Sequence, residues 1–146
     1  MPPCVLQVED ESNDIYLLEY GFRQAQVAAT LRAVRDGQEA INYLCGAGRY
    51  ADRAEFPWPC LILLDLKMPR KTGFEVLAWI REQDPLTSSL PVIICSSSAS
   101  EADIRTAYKL GANAYVVKPS NADALLEFVK SLSTFWLHYN RLPHPA

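Results

Sequence analysis

The chain has 146 residues, 49% of them hydrophobic and 21% charged, with a formal net charge of −3. That is enough apolar material for one ordinary core, which argues against disorder, and a charge of that sign and size provides no electrostatic footprint for nucleic acid or an anionic membrane. No apolar run approaches the roughly 20 residues that span a bilayer; Met1-Pro2-Pro3-Cys4 also lacks the basic-then-apolar pattern of a signal peptide, so a cytoplasmic place is expected.

Cys4-Val5-Leu6-Gln7-Val8 reads as a short buried strand ending in three acids, Glu9-Asp10-Glu11. A helix follows from about Asp14 to Phe22, with Ile15, Leu18 and Phe22 at helical spacing and Asn13 or Asp14 as its N-cap. Val27 to Val34 is a weaker second strand, Asp36-Gly37 a turn, and the next helix runs through Ala40, Ile41 and Leu44 to Gly46. Residues 46–59, with two glycines, two prolines and Tyr50, Phe56 and Trp58, read as an enlarged connection within one domain. The third strand is Cys60 to Leu64. Gly73 to Arg81 is a helix facing inward with Phe74, Leu77 and Ile80, broken by Asp84-Pro85. Pro91 to Cys95 is the fourth strand, Glu101 to Leu110 the fourth helix with Gly111 as its stop, and Tyr115 to Val117 the fifth strand. A last helix starts near Asn121 and carries Leu125, Phe128, Val129, Leu132 and Trp136. This alternation is (βα)₅, an α/β doubly wound parallel sheet with right-handed crossovers and helices on both faces.

The cysteines Cys4, Cys45, Cys60 and Cys95 contain no C-x-x-C pair and read as small apolar side chains. The only histidines, His138 and His144, lie in the last nine residues, which leaves the body of the chain without triad or histidine-ligated metal chemistry.

Asp65 closes the most apolar stretch of the chain, Cys60-Leu61-Ile62-Leu63-Leu64, and Pro69 follows four positions later. By itself it reads equally well as a turn cap or as a group at the carboxyl edge of a central strand, where open α/β sheets place ligands. The other strand ends decide between the two. The first strand delivers Glu9 and Asp10, the fourth Ser96 and the fifth Lys118, all to the same edge of a parallel sheet. Clustered carboxylates call for a hard divalent cation, and Mg²⁺ is the usual one where phosphate also binds. A lysine and a hydroxyl suit phosphoryl oxygens, and Asp65 is placed to attack phosphorus as a carboxylate nucleophile.

These residues resemble the receiver domains of two-component response regulators over nearly the whole chain. The resemblance lies in Glu9-Asp10 after the first strand, Asp65-Leu66-Lys67-Met68-Pro69 (D-x-x-M-P), Ser96 after the fourth strand and Lys118-Pro119 after the fifth. It implies a flavodoxin-like strand order 2-1-3-4-5. It also implies transfer of a phosphoryl group from a sensor histidine kinase to Asp65, with Mg²⁺ held by Asp10, Asp65, the backbone carbonyl of Lys67 and, through water, Glu9. Lys118 and Ser96 would bind the phosphoryl group, and Tyr115, three positions before the lysine, would be the rotameric switch.

Softer motifs, among them Asp36-Gly37-Gln38-Glu39-Ala40, Gly48-Arg49-Tyr50 and Phe135-Trp136-Leu137, look like the stand-alone regulators paired with bacterial phytochromes. Those regulators commonly dimerise through the fourth helix, fifth strand and fifth helix. Residues 1–134 are accordingly expected to form the receiver and 135–146 an extension of the last helix with a tail. Phe135, Trp136 and Leu137 are homodimer candidates, weighed against folding back on their own core. Nucleic-acid and membrane partners are not expected. The competing functions are an aspartate-nucleophile phosphohydrolase of the haloacid-dehalogenase type, which wants an acid where Lys67 stands, and a phosphorylation-independent pseudo-receiver. The receiver reading makes the chain a signalling module, not a dedicated enzyme. Lys67 and Thr72 depart from the commonest receiver pattern, Thr72 with a helix cap as its expected role. Ser98, two beyond the switch serine, is small and expected to leave the site open to water.

Overall fold

Residues 2–143 are described in a computed structural model of the chain. His144 and the last two residues of the expected tail lie outside them. Five strands, β1 (Cys4–Val8), β2 (Thr30–Val34), β3 (Leu61–Leu64), β4 (Val92–Ser96) and β5 (Ala114–Val117), form one parallel sheet in the order β2-β1-β3-β4-β5. The order follows from the connections: each strand is followed by a helix that packs back on the sheet, and the chain reverses direction once, beside β1. The helices are α1 (Ser12–Gln24), α2 (Gly37–Cys45), α3 (Gly73–Arg81), α4 (Pro85–Ser88), α5 (Glu101–Lys109) and α6 (Ala122–Leu132). Because α4 intervenes, the fourth and fifth helices read from the sequence are α5 and α6.

The central strands are buried on both faces, so alternate residues feed two cores. Leu6, Val8, Ile62, Leu64 and Ile94 pack with α2, α3 and α5, while Val5, Leu61, Leu63 and Ile93 pack with α1 and α6. Gly73 is required where α3 begins. A Cβ there would overlap the carbonyl oxygen of Asp65, and the Gly73 N–H donates to Leu66 O at 2.9 Å. The first turn of α3 is thereby pressed against the end of β3. Thr72 caps that turn in a capping box with Glu75, the role expected of it.

Several boundaries differ from the sequence reading for local reasons. The N-cap of α1 is Glu11, with no side-chain cap, so neither Asn13 nor Asp14 performs that task. β2 starts at Thr30 and not at Val27, because its one partner strand begins at Cys4 and the chain before it is still turning, with Gln26 at φ 53°. β4 starts one residue late: Pro91 has no N–H for the ladder, although its carbonyl still accepts from Ile62. Asp84-Pro85 does end α3, but it also opens α4, since Asp84 caps Thr87 N–H at 2.9 Å and Pro85 occupies the first turn. Residues 46–59 are not loose. A 3₁₀ turn, Gly48–Ala51, seats Tyr50 in a cluster with Tyr43 and Phe56, and Tyr43 Oη donates to Pro57 O at 2.7 Å.

Past α6 the backbone widens into π-helical turns over Ser133–Tyr139. Trp136 and Leu137 are partly buried against the α1/α6 core. Phe135 stays 53% exposed and Tyr139 66%, so apolar surface remains on the outer side of this extension.

Arg81, at the end of α3, ties that helix to the stretches before β4 and before β5. Its guanidinium donates to Gly111 O at 2.9 Å, Ser88 O at 3.0 Å, Leu90 O at 2.7 Å and Asn113 Oδ1 at 2.8 Å. Burial lowers its pKa from the ordinary value, yet no other side chain presents so many donors in a fixed plane. Arg81→Ala leaves three carbonyls to find new partners and is expected to cost about 3 kcal/mol in urea unfolding. Arg81→Lys should recover less than half of that. A loss under about 0.5 kcal/mol, the scale of an ordinary surface substitution, would show that the guanidinium is dispensable.

Candidate functional site

The five strands all point their carboxyl ends to one edge, and the residues just beyond those ends meet there. Glu9 N–H donates to Val34 O and Asp65 N–H to Val8 O, both at 3.0 Å, so the sheet ladder itself sets the height of the two acids. Glu9 is 3% exposed and Asp65 7%. With Asp10 they form a group in which one carboxylate oxygen from each lies within 4.8 Å of the others.

Lys118 enters from the end of β5. Its N–H donates to Ser96 O at 2.8 Å, and its ammonium reaches Glu9 Oε1 at 2.8 Å, Asp14 Oδ2 at 2.8 Å and Asp65 Oδ2 at 3.6 Å. Burial works against the charge of Lys118. The hydrogen bonds to Asp14 and Glu9 and the nearby Asp65 carboxylate outweigh burial and hold its pKa above the ordinary lysine range. Burial acts oppositely on Glu9, whose carboxyl is pushed up to about 7 despite the hydrogen bond from Lys118, with the Asp65 charge adding to the rise. The site therefore holds more negative charge than one ammonium compensates. Acids that share oxygens this closely and favour a positive neighbour suit a hard divalent cation with oxygen ligands. Asp10 is partly exposed, and the carbonyl of Asp10 is gripped by Arg35 at 3.0 Å, which steadies the loop after β1.

Asp65 has one oxygen engaged and one free for chemistry. Oδ1 accepts the Leu66 N–H at 2.9 Å, while Oδ2 faces Lys118. Ser96, 1% exposed, lies at the end of β4, and its Oγ accepts the Ser98 N–H at 3.1 Å. Half-buried Tyr115 donates its hydroxyl to Ser98 O at 2.9 Å. One residue, Ser98, thus links the two side chains that the sequence pairs as a switch. Its own hydroxyl donates to Asp103 Oδ2 at 2.6 Å, tying the loop after β4 to the first turn of α5.

Among the residues expected at the site, Glu9, Asp10, Asp65 and Lys118 come together, and Ser96 and Tyr115 are joined through Ser98. The Lys67 side chain is exposed and makes no ion pair or hydrogen bond among the described residues, so it points to water. Phe135, Trp136 and Leu137 lie beyond α6, apart from the acids. The sequence reading missed Asp14, taken there as a helix cap. Its signal was available: an acid in the first turn of α1, four positions after Asp10, lies on the turn that faces the strand ends.

The sequence model of the response regulator receiver domain matches residues 5–130. The response regulator Rcp1 of Synechocystis sp. is 36% identical over 142 residues, covering 97% of this chain and 94% of Rcp1. The structure of its Mn²⁺-bound form superimposes with a TM-score of 0.84, covering 98% of this chain and all of that one (100%). The response regulator RPA3017 in red light signaling of R. palustris is 41% identical, with a TM-score of 0.90 and coverage of 98% and 99%. The phosphorylated cyanobacterial phytochrome response regulator RcpA is 39% identical, with a TM-score of 0.88 and coverage of 99% and 100%. With five parallel strands in the order 2-1-3-4-5, an acid cluster at their carboxyl edge and these relatives spanning its length, the chain belongs to the response regulator receiver domain family.

Proposed function

We propose that the chain is a phosphoacceptor switch that takes a phosphoryl group on Asp65 from a phosphohistidine of a sensor histidine kinase. The observation that carries this is the meeting of Asp65 with Glu9, Asp10 and Lys118 at one sheet edge, with a carboxylate oxygen of Asp65 turned toward the lysine. The Asp65 carboxylate attacks phosphorus, the P–N bond to the kinase imidazole breaks, and the imidazole leaves. Lys118 and the Ser96 hydroxyl hold the phosphoryl oxygens. Mg²⁺ bound by Asp10, Asp65 and the Lys67 carbonyl, with Glu9 behind, would neutralise the charge that develops on those oxygens. The domain assists its own transfer and slow hydrolysis and serves signalling, not metabolism.

The relatives described as phytochrome or red-light regulators support a phytochrome-type photoreceptor kinase as the partner. No helix among the described residues is long and apolar enough to cross a membrane, which agrees with a cytoplasmic partner of such a kinase. The phosphohydrolase reading is weaker, because position 67 carries an exposed lysine where that chemistry wants an acid. A pseudo-receiver would have no use for this set of acids around a lysine.

The signal would leave through Ser96. If Ser96 turns to a phosphoryl oxygen, it lets go of the Ser98 N–H, and the Ser98 carbonyl that holds Tyr115 moves with it. Tyr115 then biases the α5-β5-α6 face. We read that face, together with Phe135 beyond α6, as a homodimer surface; Tyr108 and Val117 on it are 51% and 46% exposed.

Incubation with Mg²⁺ and acetyl phosphate should give a base-labile phosphoryl adduct by mass, absent from Asp65→Asn; no adduct on the wild type would overturn the assignment. The pKa of Glu9 gives a pH test. Burial pushes the folded carboxyl up to about 7 from its ordinary 4.5, so without metal the fold binds an extra proton and loses stability as pH rises through that window. A divalent cation held by these acids would take the place of that proton. The rise in melting temperature on adding Mg²⁺ should therefore be larger at pH 8 than at pH 5.5, and Glu9→Gln should flatten the difference. Equal shifts at both pH values would remove Glu9 from the metal site. In sedimentation, Phe135→Asp should weaken self-association about tenfold, on the order of 1.4 kcal/mol. Ser96→Ala should associate to the same extent with and without acetyl phosphate. A wild type that is monomeric under all conditions would exclude the dimer.

A further inference from the structure

Among the described residues, β2 brings no group to the acid cluster. The two residues that follow it nevertheless reach the loops after β1 and β3, which do. Arg35 holds the first loop: its Nη2 donates to the Asp10 carbonyl at 3.0 Å and to Ser12 Oγ at 2.7 Å, so one nitrogen spans the turn from Asp10 into α1. Asp36 holds the second, on the far side of β1 in the sheet, by accepting from Arg70 Nε at 3.0 Å and Nη2 at 3.1 Å. Asp36 is itself fixed, because its Oδ1 also accepts the Glu39 N–H at 2.8 Å as the cap of α2. The backbone closes the same gap: a Cβ at Gly37 would overlap the carbonyl oxygen of Lys71.

Arg70 pays no obvious return to the fold. Its φ is 67°, a left-handed conformation that is costly for a residue with a Cβ. Its side chain is 54% exposed, where an ion pair adds little stability. A forked, two-bond pair does fix geometry, however. What it fixes is the loop in which Lys67, three residues earlier, offers its carbonyl to the cation in the reading above.

We propose that Arg35 and Asp36 are positioning residues for the divalent cation. Arg35 sets the Asp10 side of its site, and Asp36, through Arg70, sets the Lys67 side. The proposal rests on the phosphoacceptor reading of the acid cluster and adds a frame that touches neither the cation nor the phosphoryl group. Charge alone predicts the opposite effect of breaking that frame. Arg35 and Arg70 are cations beside a site for a cation, so removing either should tighten Mg²⁺ binding if only Coulomb forces act. Removing a positioning contact should weaken it.

The test is calorimetric titration of Mg²⁺ into the full chain without any phosphoryl donor, with urea unfolding of each variant in chelator. Arg35→Met and Arg70→Gly should each bind Mg²⁺ about tenfold more weakly, the lower end of what outer-shell partners contribute. Arg35→Lys, which keeps one nitrogen for the two acceptors, should recover most of the loss. Glycine adopts φ 67° without strain, so Arg70→Gly should lose affinity while its urea midpoint stays near that of the wild type. Arg81→Ala, at the opposite edge of the sheet, is the control: it should unfold at lower urea and bind Mg²⁺ as the wild type does. With a wild type that binds Mg²⁺, unchanged or tighter binding by Arg35→Met or Arg70→Gly would overturn the proposal and leave the phosphoacceptor reading standing. An equal loss of affinity in Arg81→Ala would also overturn it, since the loss would then follow stability alone. A wild type that binds no Mg²⁺ would remove the metal site itself, and the proposal with it.

Discussion

The ion cluster around Lys118 is the constraint on which the rest of the structure depends. Glu9 and Asp65 are almost fully buried, and carboxylates so placed are costly unless paired. Their cation comes from the end of β5, two strands beyond β3 in the sheet, so the pairing exists only when β1, β3, β4 and β5 are aligned in register. The cluster is therefore both the cost of building this site and a report that the sheet is complete. Next to it, α3 starts so close to the end of β3 that only glycine fits at position 73.

The same edge connects to β5 by a short route. Ser96 ends β4, the neighbour of β3 in the sheet, Tyr115 lies on β5, and both are held through Ser98. Two hydrogen bonds to one loop residue form that link, and Ser98 together with the N-cap Ser100 ties the loop to the first turn of α5 at Asp103. Arg81 pins the loops at the far end of β4 and β5, and the Tyr43–Tyr50–Phe56 cluster packs the long connection onto α2.

Much of this was legible in the chain because parallel strands carry a strong signal. Buried on both faces, they read as unbroken apolar runs, and the polar residue ending each run marks the carboxyl edge. Asp65, Ser96 and Lys118 were each visible in that way, and their convergence follows from strand direction alone. Elements with a weaker pattern were less clear. The one-turn helix α4 is too short for a periodic stripe, and its Asp-Pro start looks the same as a break. The role of Asp14 was hidden for a different reason. A polar residue in a first helical turn or in a strand has many ordinary uses, and nothing local says which atoms stand across from it.

The sequence by itself determined the fold class, the strand order through family resemblance and the identity of the groups at the sheet edge, because those depend on pattern along the chain and on the common direction of parallel strands. Only the tertiary structure decided how Lys118 divides its contacts among Glu9, Asp14 and Asp65, that Lys67 faces water, and that Trp136 and Leu137 are partly buried while Phe135 is exposed. Each of these turns on distances between residues far apart in sequence, and those distances are set by how the helices settle on the sheet.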